Sequence, residues 1–144
     1  MADFGPLVPL EKAIYSRMNS DSDLVTNLGS QAIYNTVASQ RHPDDYVVFT
    51  LTADEDQDDS VSTQGSRIRD FLFTVKCVSY NRSKASLISD ILDSLFHFNF
   101  LTVSEWNNFW IARESNVNFI ETDPANRIIH HVGFVMRIRL EKEN

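Results

Sequence analysis

The sequence predicts an α+β fold: a mostly antiparallel or mixed sheet of four to five strands, two main helices packed on one of its faces, and a long hairpin loop over residues 53–67. Three observations predict it. Tyr46 to Ala53, Ile68 to Tyr80 and Ile128 to Leu140 alternate apolar and polar residues with the period of a strand. Leu10 to Met18 and Ala85 to Phe96 repeat apolar residues at helical spacing. The strands come in hairpin groups around the helices, the order expected of α+β proteins. The 144 residues suit one domain, which buries roughly 70% of its unfolded surface.

Residues 1–8 read as an extended arm, because Gly5, Pro6 and Pro9 oppose a helix. The single domain then occupies residues 9–144. Its first helix places Pro9 in the opening turn and runs to about Asn19, with Leu10, Ile14, Tyr15 and Met18 as its stripe. Asp21 to Leu28 suits a further short turn of helix, ended by Gly29. Ala32 to Val37 is a weak strand, followed by the turn Arg41-His42-Pro43-Asp44-Asp45.

Tyr46 to Ala53 puts Val47, Phe49 and Leu51 on one face. Beyond the acidic loop, Phe71, Phe73, Val75 and Cys77 line one face of the next strand. Asn81 is the expected N-cap of a helix to about Phe98, with Ala85, Ile88, Leu92, Leu95 and Phe96 inward. Thr102-Val-Ser-Glu105 has capping-box spacing and predicts one helical turn. Asn108 to Glu121 is a strand region, with a break expected near Glu114–Asn116. Asp123 to Asn126 is a turn. The last strand places Ile128, His130, Val132, Phe134, Met136, Ile138 and Leu140 on one face, and Arg137, Arg139 and Glu141 on the other. At about 3.3 Å per residue it would reach about 43 Å, so it should bend or run past the core.

Asp54-Glu55-Asp56-Gln57-Asp58-Asp59 concentrates five carboxylates in the expected loop. The formal charge is −7, and without these five it is −7 + 5 = −2, so the acidity is local. No broad basic patch supports binding of nucleic acid through its phosphates. Asp54, Asp56 and Asp58 open like a calcium loop. The match fails at Asp59, where a glycine makes the turn, and at Gly65, where a bidentate glutamate is needed. A solvated loop is the plain alternative. Arg67 and Arg69 follow at once, able to pair with Asp54–Asp59 of the same chain or of a neighbouring copy.

Other chemistry is sparse. The chain has no nucleophile elbow, phosphate-binding loop or dinucleotide fingerprint, so no catalytic residue, metal ligand or cofactor is assigned and an enzyme is not expected. Cys77, the single cysteine, alternates with Phe73 and Val75 and reads as buried packing. His130 and His131 point to opposite faces and cannot share one metal; His130 falls on the apolar face. His97 lies at a helix end, where the dipole favours a cation. Glu114 and Glu121 form no recognisable acid/base motif. Trp106, Phe109, Trp110, Phe96, Phe98 and Phe100 are mostly core candidates, and an exposed subset would suit a protein interface. Met1 to Leu10 lacks the basic start of a signal peptide, and no apolar run reaches the ~20 residues of a membrane span, so a soluble cytoplasmic product is expected.

A resemblance extends from Leu10 to Leu140. It rests on the opening helix Leu10 to Arg17, the turn and strand Pro43 to Phe49, the long polar hairpin, and the strand Phe71 to Ser79. The helix with Ala85, Ile88, Ile91 and Leu95 and the final strand Arg127 to Arg139 complete it. With these residues the chain resembles the phage tail completion, or tail terminator, family of long-tailed phages and prophages. The resemblance implies a small α+β structural subunit of the virion, assembled in the host cytoplasm into a typically hexameric ring. Such a ring caps the head-proximal end of the tail tube, stops its growth, and joins it to the head connector or stopper protein. DNA passes through without specific binding, and no membrane is involved. On charge grounds Asp54, Glu55, Asp56, Asp58 and Asp59 are expected to face the lumen, where carboxylates repel phosphates at ~1 kcal/mol per pair at 4 Å in water. The competing expectations are another tube or head-closure component, or a small metal-binding module or enzyme built on the acidic loop.

Overall fold

The computed structural model describes residues 5–58 and 67–143. Its elements, in chain order, are α1 (Leu7–Asn19), α2 (Ser22–Leu28), β1 (Ile33–Asn35), β2 (Tyr46–Asp58), β3 (Arg67–Ser79), α3 (Arg82–Phe96), β4 (Thr102–Val103), β5 (Trp106–Thr122) and β6 (Ile128–Lys142). The strands form one sheet in the order β1-β2-β3-β6-β5-β4. β1 runs parallel to β2, and the remaining neighbours are antiparallel.

One face of the sheet is apolar because alternate residues of four long strands point to it. Val47 and Phe49 of β2, Phe71, Phe73, Val75 and Cys77 of β3, and Phe134, Met136, Ile138 and Leu140 of β6 are buried there, with Ile111 of β5. The helices bring Leu10, Ile14, Met18, Leu24, Leu28, Ala85, Ile88, Leu92 and Phe96 to the same cluster. Each large aliphatic or aromatic side chain buried in this way contributes about 1.5–3 kcal/mol. That burial holds α1 and α3 on the sheet.

The helix ends follow the expected capping chemistry. The Asp21 carboxylate accepts the Leu24 amide at 2.9 Å and starts α2, and Gly29 ends it at φ 74°. Asn81 accepts the Lys84 amide at 3.2 Å and starts α3. Arg17 of α1 donates to the carbonyls of Leu95 at 3.2 Å and Phe100 at 2.7 Å, satisfying acceptors at and beyond the end of α3.

Four expectations are corrected. Among the described residues the sheet has six strands where four to five were expected, because the two-residue β4 carries no periodic signal; α1 and α3 are the two main helices, with α2 the short turn of helix expected over Asp21–Leu28. α1 begins at Leu7, inside the stretch expected as an arm. Thr102–Glu105 is no helical turn: Thr102 and Val103 pair with Asn107 and Trp106 across a tight connection in which Glu105 has φ 67°. Burial of Val103 and Trp106, both at most 5% exposed, outweighs the local capping pattern.

The fourth concerns the acidic run. The loop expected over 53–67 is shorter, because β2 continues to Asp58 and β3 starts at Arg67. Carboxylates disfavour strands on their own. Here the register sets Asp56 opposite Arg69 and Asp58 opposite Arg67, and β3 is itself backed by β6 as far as Glu141. Across the same ladder Arg69 bonds the Asp54 carboxylate at 2.9 Å, and an opposite-charge pair of this kind favours the pairing. Asp54 to Asp58 are therefore sheet, and Asp59 lies outside the described residues.

Two smaller adjustments follow the shape of the sheet. α3 ends at Phe96 rather than Phe98, which takes φ 55°. The alternation of β6 is buried from Phe134 to Leu140, while Ile128 is 50% exposed because the β5–β6 hairpin runs past the helices. The expected break in β5 is a register shift between Arg113 and Ser115.

Candidate functional site

At the acidic end of the β2–β3 hairpin, Arg69 holds Asp54 at close quarters. Arg69 grips Asp54 through both carboxylate oxygens at 2.9 Å, and its guanidinium lies 5.3 Å from the Phe71 ring centre. This pair lies within one chain. Arg67 stands opposite Asp58 in the register.

On the helix-free face of the same strands, Asp70 is 2% exposed. Arg137 Nη1 donates to it at 2.6 Å, and Arg139 Nε lies 3.4 Å from the same oxygen. Arg137 also donates to Glu114 from Nε at 2.5 Å and from Nη2 at 3.4 Å. Glu114 raises the affinity of Arg137 for its proton, and Asp70 adds to the effect. Among the described side chains, two carboxylates and two guanidiniums thus meet at this point of the sheet. The sequence placed Arg137 and Arg139 on the outer face but gave no sign that Asp70, next to the expected acidic loop, would be enclosed by them.

The opposite end of that face is aromatic. Phe119 stacks on the His131 ring at 4.2 Å and 12°, and the Lys76 ammonium lies 4.9 Å from the Phe119 centre. His131 contacts Glu121 through Nε2 at 2.5 Å. Burial pushes His131 below the usual imidazole range and outweighs the opposing pull of Glu121. His131 is thus the enclosed member of the pair at 6% exposed, where the pattern had singled out His130. Tyr80 donates to Asp123 at 3.0 Å, and Arg127 closes the β5–β6 turn with a 2.9 Å bond to the same carboxylate.

The remaining candidates separate cleanly. Cys77 is fully buried, and burial pushes its thiol up to about 12. Glu114 and Glu121 bind different partners and do not form a pair. Nδ1 of His97 accepts the Arg113 amide at 3.0 Å. Among the described residues, no group of three or more His, Cys, Asp or Glu side chains is placed to hold a metal ion, and no helix is long and apolar enough to cross a membrane.

The aromatic segment is largely at the surface, against the expectation that most of it is core. Trp106 and Phe96 are buried, but Phe98 is 57%, Phe100 52%, Phe109 38% and Trp110 40% exposed. Phe98 packs edge-on to Trp110 at 5.5 Å. Its amide donates to the Ile111 carbonyl at 2.9 Å, so the outer edge of β5 is covered there. Phe119, Ile120 and Ile128 extend the exposed apolar surface along the hairpin.

With this geometry defined, comparison with known proteins finds a likeness of fold. A solved chain from the virion of a native gene transfer agent particle superposes with a TM-score of 0.71 at 18% identity, covering 96% of this chain and 99% of that one. The two chains share one fold. No family model and no curated protein matches the sequence.

Proposed function

We propose that the protein is a structural, non-enzymatic component of a phage-like virion, and that it acts as a tail terminator. The observation that carries this reading is the end-to-end likeness to a chain of the gene transfer agent virion, 96% against 99% coverage. It agrees with the resemblance to the tail completion family from Leu10 to Leu140. The proposed subunit assembles into a ring, typically of six, on the head-proximal end of the tail tube, contacts the tube protein on one side and the head connector on the other, and passes DNA through its centre.

Two surfaces fit that work. The exposed aromatics Phe98, Phe100, Phe109 and Trp110 are suited to contacts between protein subunits, where aromatic residues are enriched. The acidic hairpin around Asp54–Asp58 suits the channel, because its carboxylates repel phosphates and offer no counterion release. The test is deletion of the gene in a strain that produces the particle. Tail terminator loss gives overlong tails without heads beside filled, tailless heads. Joined particles with normal tails would refute the proposal.

A further inference from the structure

The helix-free face of the sheet carries guanidiniums that would ordinarily bind phosphate. We propose that Asp70 and Glu114 mask Arg137 and Arg139 so that this face lets duplex DNA slide past without adhering. This rests on the reading of the protein as a ring around DNA, and assigns the channel wall to that face.

The geometry supports masking in particular. Arginine binds phosphate by the same two-pronged donation it uses on carboxylates. The Arg137 side chain is 22% exposed, and both its Nε and its Nη1 are engaged, by Glu114 at 2.5 Å and by Asp70 at 2.6 Å. Arg139 is 40% exposed and shares the Asp70 oxygen at 3.4 Å. The Asp70 side chain is 1% exposed, so solvent hardly competes for it. A carboxylate enclosed in this way is costly unless paired, and a hydrophobic residue at position 70 would suffice for packing alone. Asp70 and Glu114 thus occupy the Nε and Nη1 donors of Arg137, and Asp70 holds Arg139 close to the same carboxylate, so both guanidiniums stay charged beside carboxylates. The three helices pack on the other face, so this is the bare side of the sheet, and the proposal sets it toward the passing polyanion.

The experiment uses the purified full chain and a fluorescent DNA duplex, read by anisotropy at low salt and again across a salt series. Asp70→Asn with Glu114→Gln is expected to bind the duplex at least about tenfold more tightly than the wild type. Two freed arginines should also steepen the logarithmic salt dependence by about 2. Asp90→Asn with Asp44→Asn removes the same charge from exposed positions and controls for net charge; its change should stay within about twofold on screening grounds. Adding Arg137→Gln and Arg139→Gln to the doublet should return binding to the wild-type level. If circular dichroism shows that Asp70→Asn does not fold, Glu114→Gln alone, at a side chain 41% exposed, should give a smaller gain in the same direction. A folded variant that binds no better than the control, or a gain that survives removal of the arginines, overturns the proposal. Because the assay needs neither ring nor tail, its failure is separate from failure of the tail-terminator reading.

Discussion

Gly133→Ala is the single substitution expected to damage the fold most for its size. Gly133 sits in β6, opposite Lys76 of β3, in the middle of the sheet. A Cβ built on it would lie 2.0 Å from the Val75 carbonyl oxygen, 2.5 Å from Lys76 Cα and 2.7 Å from Lys76 Cβ. Ordinary contact starts at 3.4 Å, so the carbonyl would have to retreat by 3.4 − 2.0 = 1.4 Å. Two of those three atoms are backbone, and no rotamer change can relieve them. Neighbouring strands are only about 4.8 Å apart, and a retreat of that size breaks local ladder bonds worth roughly 1 kcal/mol each. With overpacking strain of about 1–3 kcal/mol added, the loss is about 3 kcal/mol or more. For a chain of this length that lowers the Tm by about 10 °C. Gly29→Ala is the comparison: its Cβ meets nothing within 4 Å, and only the left-handed backbone at φ 74° resists it, for about 1–2 kcal/mol. Urea and thermal unfolding followed by circular dichroism measure both. A Gly133→Ala loss below about 1 kcal/mol, or a smaller loss than Gly29→Ala, would refute the close approach of β6 to β3.

Other outcomes follow from single contacts. Asp21→Ala should cost about 1 kcal/mol by removing the α2 cap, read from the urea midpoint. His131 has a folded pKa below its unfolded value, so the unfolded chain takes up the proton first. Stability should be complete above the ordinary imidazole pKa and fall as pH drops through it toward the folded value, and His131→Asn should flatten that slope in urea titrations between pH 7 and 5. Cys77 should react with a thiol reagent only after unfolding, because its thiol is buried and pushed up to about 12. Phe98→Asn should hold or improve the stability of the isolated chain, since asparagine tolerates φ 55° better than phenylalanine does, yet weaken assembly on tails if Phe98 serves a contact.

The long elements were legible in the sequence because each carries its own period. The alternation of Phe71, Phe73, Val75 and Cys77 fixed the inward face of β3, and Asn81 and Asp21 announced two helix starts. The shortest element, β4, was not legible. Val103 and Trp106 form a hairpin only because both find the core, a tertiary gain that overrides the Thr102–Glu105 capping pattern. Asp54–Asp58 looked like loop since acidic runs disfavour strands, and only the backbone register against β3, with the Arg69–Asp54 bond, shows them as strand. The enclosure of Asp70 by Arg137 joins residues far apart in sequence, so no local pattern shows it. Gly133 did leave a signal, as a lone glycine inside an alternating strand marks close backbone approach.

A tail terminator must form a ring on the end of a tail. Purified protein incubated with tail tubes and imaged by electron microscopy, with averaging of the tube ends, tests it most directly. The expected image is a cyclic ring at one end only, with the Asp54–Asp58 hairpins turned toward the axis and tube growth stopped. Decoration along the tube wall, or a ring with those hairpins on its outer rim, would contradict it.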